Sequence, residues 1–142
     1  MSSPPEEDIR RTLVRYCMLL DDGRFDEWGE LFTESAQFHV DGHTYAGRGD
    51  IQAFIEKDLP PDSRGRHLDG NPLIELDSWN GTANVWSDFV FVDRVGAVIG
   101  LGRYHDVMER GTDKTWRFIV RELVEPGGEP EITKPPPGHT AA

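Results

Sequence analysis

The stretch Thr82-Ala-Asn-Val-Trp-Ser-Asp-Phe-Val-Phe-Val92 decides the fold, because β-branched and aromatic side chains dominate it. Such side chains favour a β-strand. Asn80-Gly81 comes directly before this stretch and Arg94–Gly96 follows it. Because Asn-Gly between apolar runs is a strong hairpin signal, we predict a long strand joined by tight turns to strands on both sides.

Three further apolar segments surround this strand, namely Arg66–Leu76, Ala97–Glu109 and Thr115–Val124. Consecutive strands linked by short turns predict an antiparallel meander. Two shorter strands are predicted earlier in the chain, at Ala36–Val40 and at Tyr45–Gly47. The second half of the sequence therefore predicts one large sheet.

Three helices are predicted before the long strands. The first carries apolar residues at Ile9, Leu13, Cys17 and Leu20, which is the spacing of one buried helical face, and it ends at Asp22-Gly23. The others cover Phe25–Phe32 and the segment from Asp50 to Leu59. We therefore expect an α+β fold in which three N-terminal helices pack on one face of a curved antiparallel or mixed sheet.

The end of the first helix carries a phenol and a carboxylate, Tyr16 and Asp21. A carboxylate in the last turn faces the negative end of the helix dipole, which costs about 0.3–1 kcal/mol. Such a cost indicates a functional role for Asp21. The alternative is that Asp21 is a solvated turn residue and Tyr16 an ordinary core phenol.

The first long strand opens with His67, and alternation places Asp69 and Asn71 on the same face of that strand. The next strand carries Asp88 between Trp86 and Val90, which is typical of a pocket wall rather than a core. The alternative is that Asp88 points to solvent while its neighbours Phe89 and Phe91 face the core.

Composition limits the partners that this chain can have. The 142 residues carry a formal net charge of −11, which argues against binding to nucleic acid or to an anionic membrane. No apolar run approaches membrane-spanning length, and the acidic N-terminus does not resemble a signal peptide. The single Cys17 excludes an intramolecular disulfide. These features predict a cytoplasmic protein.

The chain divides into three parts. We expect a flexible N-terminus over residues 1–5, one domain over residues 6–124 and a tail rich in proline and glycine over residues 125–142. The tail is predicted to be mobile or to form an arm onto a neighbouring subunit.

The histidines His39 and His43 have no spacing typical of a metal site on a helix. Phosphate-binding loops, cysteine clusters and nucleophile elbows are also absent from the sequence. We therefore expect chemistry that needs neither a metal nor an organic cofactor.

Five short motifs together resemble the SnoaL-like domain of the nuclear-transport-factor-two-like superfamily. They are Tyr16-x-x-x-x-Asp21-Asp22-Gly23-x-Phe25, Trp28-x-x-Leu31-Phe32, Arg66-His67-x-x-x-Asn71-Pro72, Gly102-Arg103-Tyr104-x-Asp106 and Trp116-Arg117-x-x-x-Arg121. The resemblance implies a cone-shaped, cystatin-like α+β barrel with an apolar pocket. It is much less specific for a reaction than for a fold.

Within this superfamily, bile-acid 7α-dehydratase and scytalone dehydratase are the nearest functional parallels. The first uses a tyrosine and an aspartate five positions apart in its first helix, as Tyr16 and Asp21 are here. Both use a histidine where the first long strand begins, which His67 matches. An acid and an arginine on later strands correspond more loosely to Asp88 and Arg121. Scytalone dehydratase has a second histidine where this chain has Asp88, which argues against that particular reaction.

The resemblance implies a lyase that dehydrates a small, apolar, oxygenated substrate of steroid or polyketide type by general acid and base catalysis. A ketosteroid-isomerase-like reaction and a non-catalytic ligand-binding role stay open as alternatives. The catalytic candidates are Tyr16, Asp21, His67, Asp88 and Arg121. The pocket is expected to be lined by Trp28, Phe38, Phe54, Asn71, Trp86 and Tyr104.

The long strands also carry apolar residues on the face that the helices cannot cover, and we assign Phe89, Phe91, Ile99 and Leu101 to that face. An exposed apolar sheet face usually marks an interface. We therefore expect a homodimer or a homotrimer.

Overall fold

The computed structural model describes residues 3–139. Three helices precede or interrupt the sheet: α1 (Pro5–Asp21), α2 (Phe25–Gly29) and α3 (Arg48–Asp58). The strands are β1 (Phe32–Val40), β2 (His43–Ala46), β3 (Arg66–Asp69), β4 (Leu73–Asp77), β5 (Thr82–Val92), β6 (Val98–Arg110) and β7 (Trp116–Val124). A 3₁₀ turn at Pro61–Ser63 links α3 to β3.

The seven strands form one mixed sheet in the order β2-β1-β7-β6-β5-β3, and β4 pairs with the other half of β5. Only β1 and β7 run parallel, whereas the other pairs within the described residues are antiparallel. Register shifts at Phe91/Val92 and at Val107/Met108 are of the kind that bends strands. The predicted α+β class is confirmed, with a sheet that stays open.

The strand predicted over Arg66–Leu76 is divided into β3 and β4. Gly70-Asn71-Pro72 separates them, and the Gly70 N–H donates to the carbonyl of Asp88 over 2.8 Å. Proline cannot donate to the ladder and interrupts a strand. The division leaves His67 on a short strand that ends immediately before this loop.

The first helix begins at Pro5, with Glu6, Glu7 and Asp8 in its first turn. Negative charge there stabilises the positive end of the helix dipole. Its buried stripe joins a core of aromatic rings that includes Trp28, Phe32 and Phe118. Thr12 Oγ1 donates to the carbonyl of Trp116 over 2.8 Å, which ties the helix to β7. The end of α1 is therefore held at a defined position above the sheet.

The face assignment on β5 was wrong. Phe89 pairs with Gly102 and stacks on Tyr104 at 4.3 Å, and Phe91 stacks on His67, so both phenyl rings lie on the inner face. The even-numbered residues, including Asp88, face outward. When a strand is apolar on both faces, its alternation does not show which face is inner. The sequence therefore allowed either the odd-numbered or the even-numbered residues of β5 to face inward.

The segment after Val124 packs on the outer face of its own sheet, a placement that the sequence did not predict. Glu122, which is 1% exposed, accepts hydrogen bonds from the backbone N–H groups of Glu131, Ile132 and Thr133. Trp86 Nε1 donates to the carbonyl of Lys134 over 3.1 Å. Residues 140–142 of the predicted tail, like residues 1–2 of the predicted N-terminus, lie outside the described residues.

Candidate functional site

A cavity of about 1120 Å³ lies between the helices and the inner face of the sheet. Rings from five different elements line it: Tyr16, Phe38, Phe54, Phe89, Phe91 and Tyr104. His67 lies in the same wall. Ligand sites in proteins are typically concave and mostly apolar with a few placed polar groups, and this cavity has that composition.

Asp21 holds His67 through two contacts. His67 Nδ1 lies 2.6 Å from Asp21 Oδ1, and the His67 backbone N–H donates to Asp21 Oδ2 over 2.9 Å. A carboxylate only accepts hydrogen bonds, so the Nδ1 hydrogen lies between the two groups. The lone pair of the neutral ring is therefore on Nε2, and no hydrogen bond among the described residues engages that atom.

The local structure explains how the two residues meet. Asp21 is the last residue of α1 and is 8% exposed, while His67 is the second residue of β3. The imidazole stacks on Phe91 at 4.4 Å with an interplanar angle of 27°. A buried carboxylate on one side and an aromatic ring on the other orient the imidazole. Two of the catalytic candidates named from the sequence, Asp21 and His67, are thus brought together in the structure.

Tyr16 contributes a phenol to the cavity from the middle of the aromatic core. It is 1% exposed, and its ring lies 5.4 Å from Trp28 and 5.8 Å from Tyr104. Burial raises the pKa of its hydroxyl, which the positive charge of Arg121 opposes. The hydroxyl therefore stays protonated at neutral pH and is available as a hydrogen-bond donor.

Arg121 is fully buried behind the two tyrosines. Its guanidinium carbon lies 3.5 Å from the ring centroid of Tyr104 and 4.1 Å from that of Tyr16. Its Nη1 is 3.4 Å from Asp106 Oδ2, and both side chains are 0% exposed. Arg121 does not line the cavity, so it acts on the tyrosines through its charge and not through direct contact with a ligand.

Two buried acids near Arg121 were not selected from the sequence. Burial raises the pKa of Asp106 to about 7, although Arg121 opposes the shift, and burial likewise raises the pKa of Asp69. Both carboxylate oxygens of Asp69 lack a hydrogen-bond partner among the described residues. The signal for Asp69 was its shared face with His67; Asp106 lies within the quoted Gly102–Asp106 motif but was given no role.

Besides Asp21 and Arg121, four predicted site residues lie outside the cavity wall. Asp88 is on the outer face, with its side chain 69% exposed and 2.6 Å from Arg103 Nε. Trp86 is also on the outer face under the tail, Asn71 is exposed in the β3–β4 loop, and Trp28 is enclosed in the core beneath Tyr16. The assignment of Asp88 to the pocket wall is therefore wrong, since Asp88 pairs in register with Arg103 on the outer face.

Among residues 3–139, no three His, Cys, Asp or Glu side chains are arranged to hold a metal ion. In the same range, none of the helices has the length and apolar character needed to cross a membrane.

The family model of the SnoaL-like domain matches residues 2–122. The chain belongs to the SnoaL-like domain family. No curated protein matches it. The predicted family and the cystatin-like fold are confirmed, and the solved structures that resemble this SnoaL-like domain agree with both.

A Mycobacterium tuberculosis protein of unknown function is 28% identical to this SnoaL-like domain with a TM-score of 0.73, covering 82% of this chain and 68% of its own. A Novosphingobium aromaticivorans protein with a cystatin-like fold is 26% identical with a TM-score of 0.71, covering 82% and 79%. A protein from the same organism, provisionally named a scytalone dehydratase, is 21% identical with a TM-score of 0.73, covering 95% and 94%. At that identity the last likeness concerns the fold alone.

Proposed function

We propose that this SnoaL-like domain is a cofactor-independent lyase that dehydrates a small, mostly apolar, oxygenated ring compound of steroid or polyketide type. The observation that carries the proposal is the Asp21–His67 pair at the wall of the aromatic cavity, with Nε2 left free. A histidine oriented by a buried carboxylate is a standard general base.

The proposed reaction begins with a β-hydroxyketone in the cavity. His67 Nε2 removes a proton from the carbon next to the carbonyl while the Tyr16 hydroxyl donates a hydrogen bond to the carbonyl oxygen, where negative charge develops. The electron pair of the broken C–H bond forms the new C=C bond as the β C–O bond breaks. The imidazolium returns its proton to the departing hydroxyl, so that water leaves and His67 is neutral again.

Asp21 and Arg121 have supporting roles in this proposal. Asp21 fixes the tautomer and stabilises the imidazolium that forms. Arg121 lies against the rings of both Tyr16 and Tyr104, so its charge stabilises negative charge that develops on the oxygen bound by Tyr16. A protein with the same fold, 21% identical to this chain, is provisionally named a scytalone dehydratase, and that name supports dehydration as the reaction class.

Isomerisation is the second candidate, because the same base can return the proton to another carbon of a substrate that lacks a β-hydroxyl. A protein that binds a ligand without catalytic activity is the third candidate.

The cytoplasmic location and the homodimer or homotrimer stay predictions. Exposed Leu68, Val98 and Leu101 at the end of the outer face that the tail does not cover support self-association.

The test uses a bicyclic β-hydroxyketone, 3-hydroxy-1-tetralone, and follows loss of water by absorbance and mass spectrometry. His67→Gln removes the base and should lower the enzymatic rate by about 10²–10⁴-fold. Asp21→Asn removes the acid that orients the base and should lower the rate by a smaller factor. Asp88→Asn is the matched control, since Asp88 is an acid on the opposite face.

Equal turnover in His67→Gln, Asp21→Asn and the unmodified protein would refute the proposed mechanism. Binding of intact alcohol without product, followed by thermal shift, would favour the non-catalytic role. Turnover of a 3-oxo-Δ5-steroid without loss of water would favour isomerisation.

A further inference from the structure

The mouth of the cavity carries an excess of acidic side chains. Eight carboxylates and two guanidinium groups line the cavity and its mouth, and no lysine among the described residues does so. Five of these acids are exposed and have no side-chain hydrogen bond or ion pair to another described residue. We call these five the acidic rim: Asp41, Asp58, Asp62, Glu125 and Glu129.

The members of the acidic rim come from different parts of the chain. Asp41 follows β1, Asp58 ends α3, Asp62 lies in the 3₁₀ turn, and the two glutamates follow β7. The cavity lining therefore draws carboxylates from four separate places along the chain. Clefts lined by one sign of charge focus the field and change the local concentration of charged ligands.

The two arginines at the mouth are already engaged by backbone carbonyls. Arg94 Nη2 donates to Pro61 over 2.5 Å and its Nε to Arg64 over 3.3 Å. Arg64 Nε donates to Leu59 over 3.3 Å, and its guanidinium lies 5.3 Å from the ring centroid of Phe25. These bonds hold the two guanidinium groups at the mouth, against backbone carbonyls of residues 59–64, and not in the deep cavity.

The interior offers no replacement for them. The buried cation Arg121 is 0% exposed and already faces Asp106. Apart from His39, His67, Ser63 and the phenols of Tyr16 and Tyr104, the remaining side chains of the cavity lining are aromatic or aliphatic. An anion in the deep part of the cavity, away from the two arginines at the mouth, would thus lose hydration without gaining an arginine or lysine counter-ion, which is costly.

We infer that this cavity selects an uncharged or amine-bearing ring compound and rejects carboxylates, phosphate esters and thioesters of anionic carriers. The inference rests on the proposed function only because both use the same cavity. It concerns binding of the ligand and does not depend on turnover. The acidic rim is the specificity-determining element, and its effect on anions decreases with ionic strength as the Debye length falls from about 30 Å at 0.01 M to about 8 Å at 0.15 M.

The test measures displacement of the uncharged fluorescent probe N-phenyl-1-naphthylamine by three compounds with the same ring system. These are 2-naphthol, 2-naphthoate and 2-naphthylmethylamine, which are uncharged, anionic and cationic at pH 7. At low salt, we expect 2-naphthoate to bind at least about tenfold more weakly than 2-naphthol, and the amine to bind at least as tightly as 2-naphthol. Both differences should shrink at high salt.

Rim variants locate the effect. Asp58→Asn/Asp62→Asn and Glu125→Gln/Glu129→Gln should each reduce the gap between 2-naphthol and 2-naphthoate. The matched control is Glu7→Gln/Glu109→Gln, which removes the same charge from exposed residues outside the cavity lining and should leave the gap unchanged.

Three results would overturn the inference. The first is equal affinity for 2-naphthoate and 2-naphthol in the unmodified protein. The second is a control variant that narrows the gap as much as the rim variants do. The third is failure of all three compounds to displace the probe. Because none of these readouts needs turnover, an inactive protein with the expected selectivity would refute the proposed lyase and leave this inference standing.

Discussion

Replacement of Asp106 by asparagine should change how the stability of the protein depends on pH. Asp106 is 2% exposed, and burial raises its pKa from 3.8 to about 7 in the folded protein. In the unfolded chain the carboxyl ionises near 4. Between these two values the folded protein keeps a proton that the unfolded chain releases.

The sign and size of the effect follow from linkage. Stability from the retained proton is fully present below about pH 4 and is lost as pH rises through about 7. One pKa unit corresponds to about 1.4 kcal/mol, so a rise from 3.8 to about 7 sets an upper limit of about 4 kcal/mol. Asparagine has no such proton. The unfolding free energy of Asp106→Asn minus that of the unmodified protein should therefore increase as the pH rises from about 4 to about 7.

Urea denaturation at half-unit steps from pH 4.5 to pH 8, followed by tryptophan fluorescence, measures this difference. The buried Trp28 and Trp116 provide the signal. Subtracting the two proteins cancels most of the contribution of Asp69, whose pKa burial also raises. Glu109→Gln, at an exposed acid near the end of the same strand, controls for the loss of a carboxylate. Parallel curves for Asp106→Asn and the unmodified protein would show that Asp106 is already ionised at pH 5 beside Arg121, and would refute the reasoning.

Other positions give sharper structural tests. Trp28→Ala removes a fully buried indole and should lower the free energy of unfolding by about 3–5 kcal/mol in urea denaturation. Gly65→Ala places a methyl group against the carbonyl of Val92, so it should cost about 1–3 kcal/mol and reduce turnover through displacement of β3 and His67. Glu122→Ala leaves three backbone N–H groups without their acceptor, at about 1.5–3 kcal/mol for each charge-assisted bond, and cleavage at Glu131 by a glutamate-specific protease should accelerate. Asp88→Asn should change the unfolding free energy by no more than about 1 kcal/mol, as expected for an exposed ion pair.

The spacing of apolar residues in the sequence predicted the first helix and most of the long strands. The apolar stripe of α1 and the four long apolar segments correspond to the helix and to the strands of the meander. The parallel pairing of β1 with β7 was not specified, because no local pattern in Phe32–Val40 records which distant strand lies beside it. The ends of α2 and β1 also differed, since Leu31 accepts a hydrogen bond from Phe118 and leaves the predicted helix.

The site was predictable where spacing and local capping determined it. Local signals indicated the end of α1 at Asp21 and the strand start at His67, and the resemblance to the SnoaL-like domain placed both residues in one site. Asp88 was misplaced because alternation gives two faces but does not say which of them is inner when both are apolar. Asp106 was overlooked because its value as a buried acid depends on Arg121, a partner on another strand.

The position of β7 has a consequence for how the chain is made. β7 is the last of the described strands to leave the ribosome, yet it lies in the interior of the sheet between β1 and β6. Until Val124 has emerged, β1 and β6 have open edges, and such edges favour pairing with other chains. Completion of the sheet therefore waits until residues 116–124 have emerged, and a nascent chain that stalls before residue 116 needs protection from aggregation.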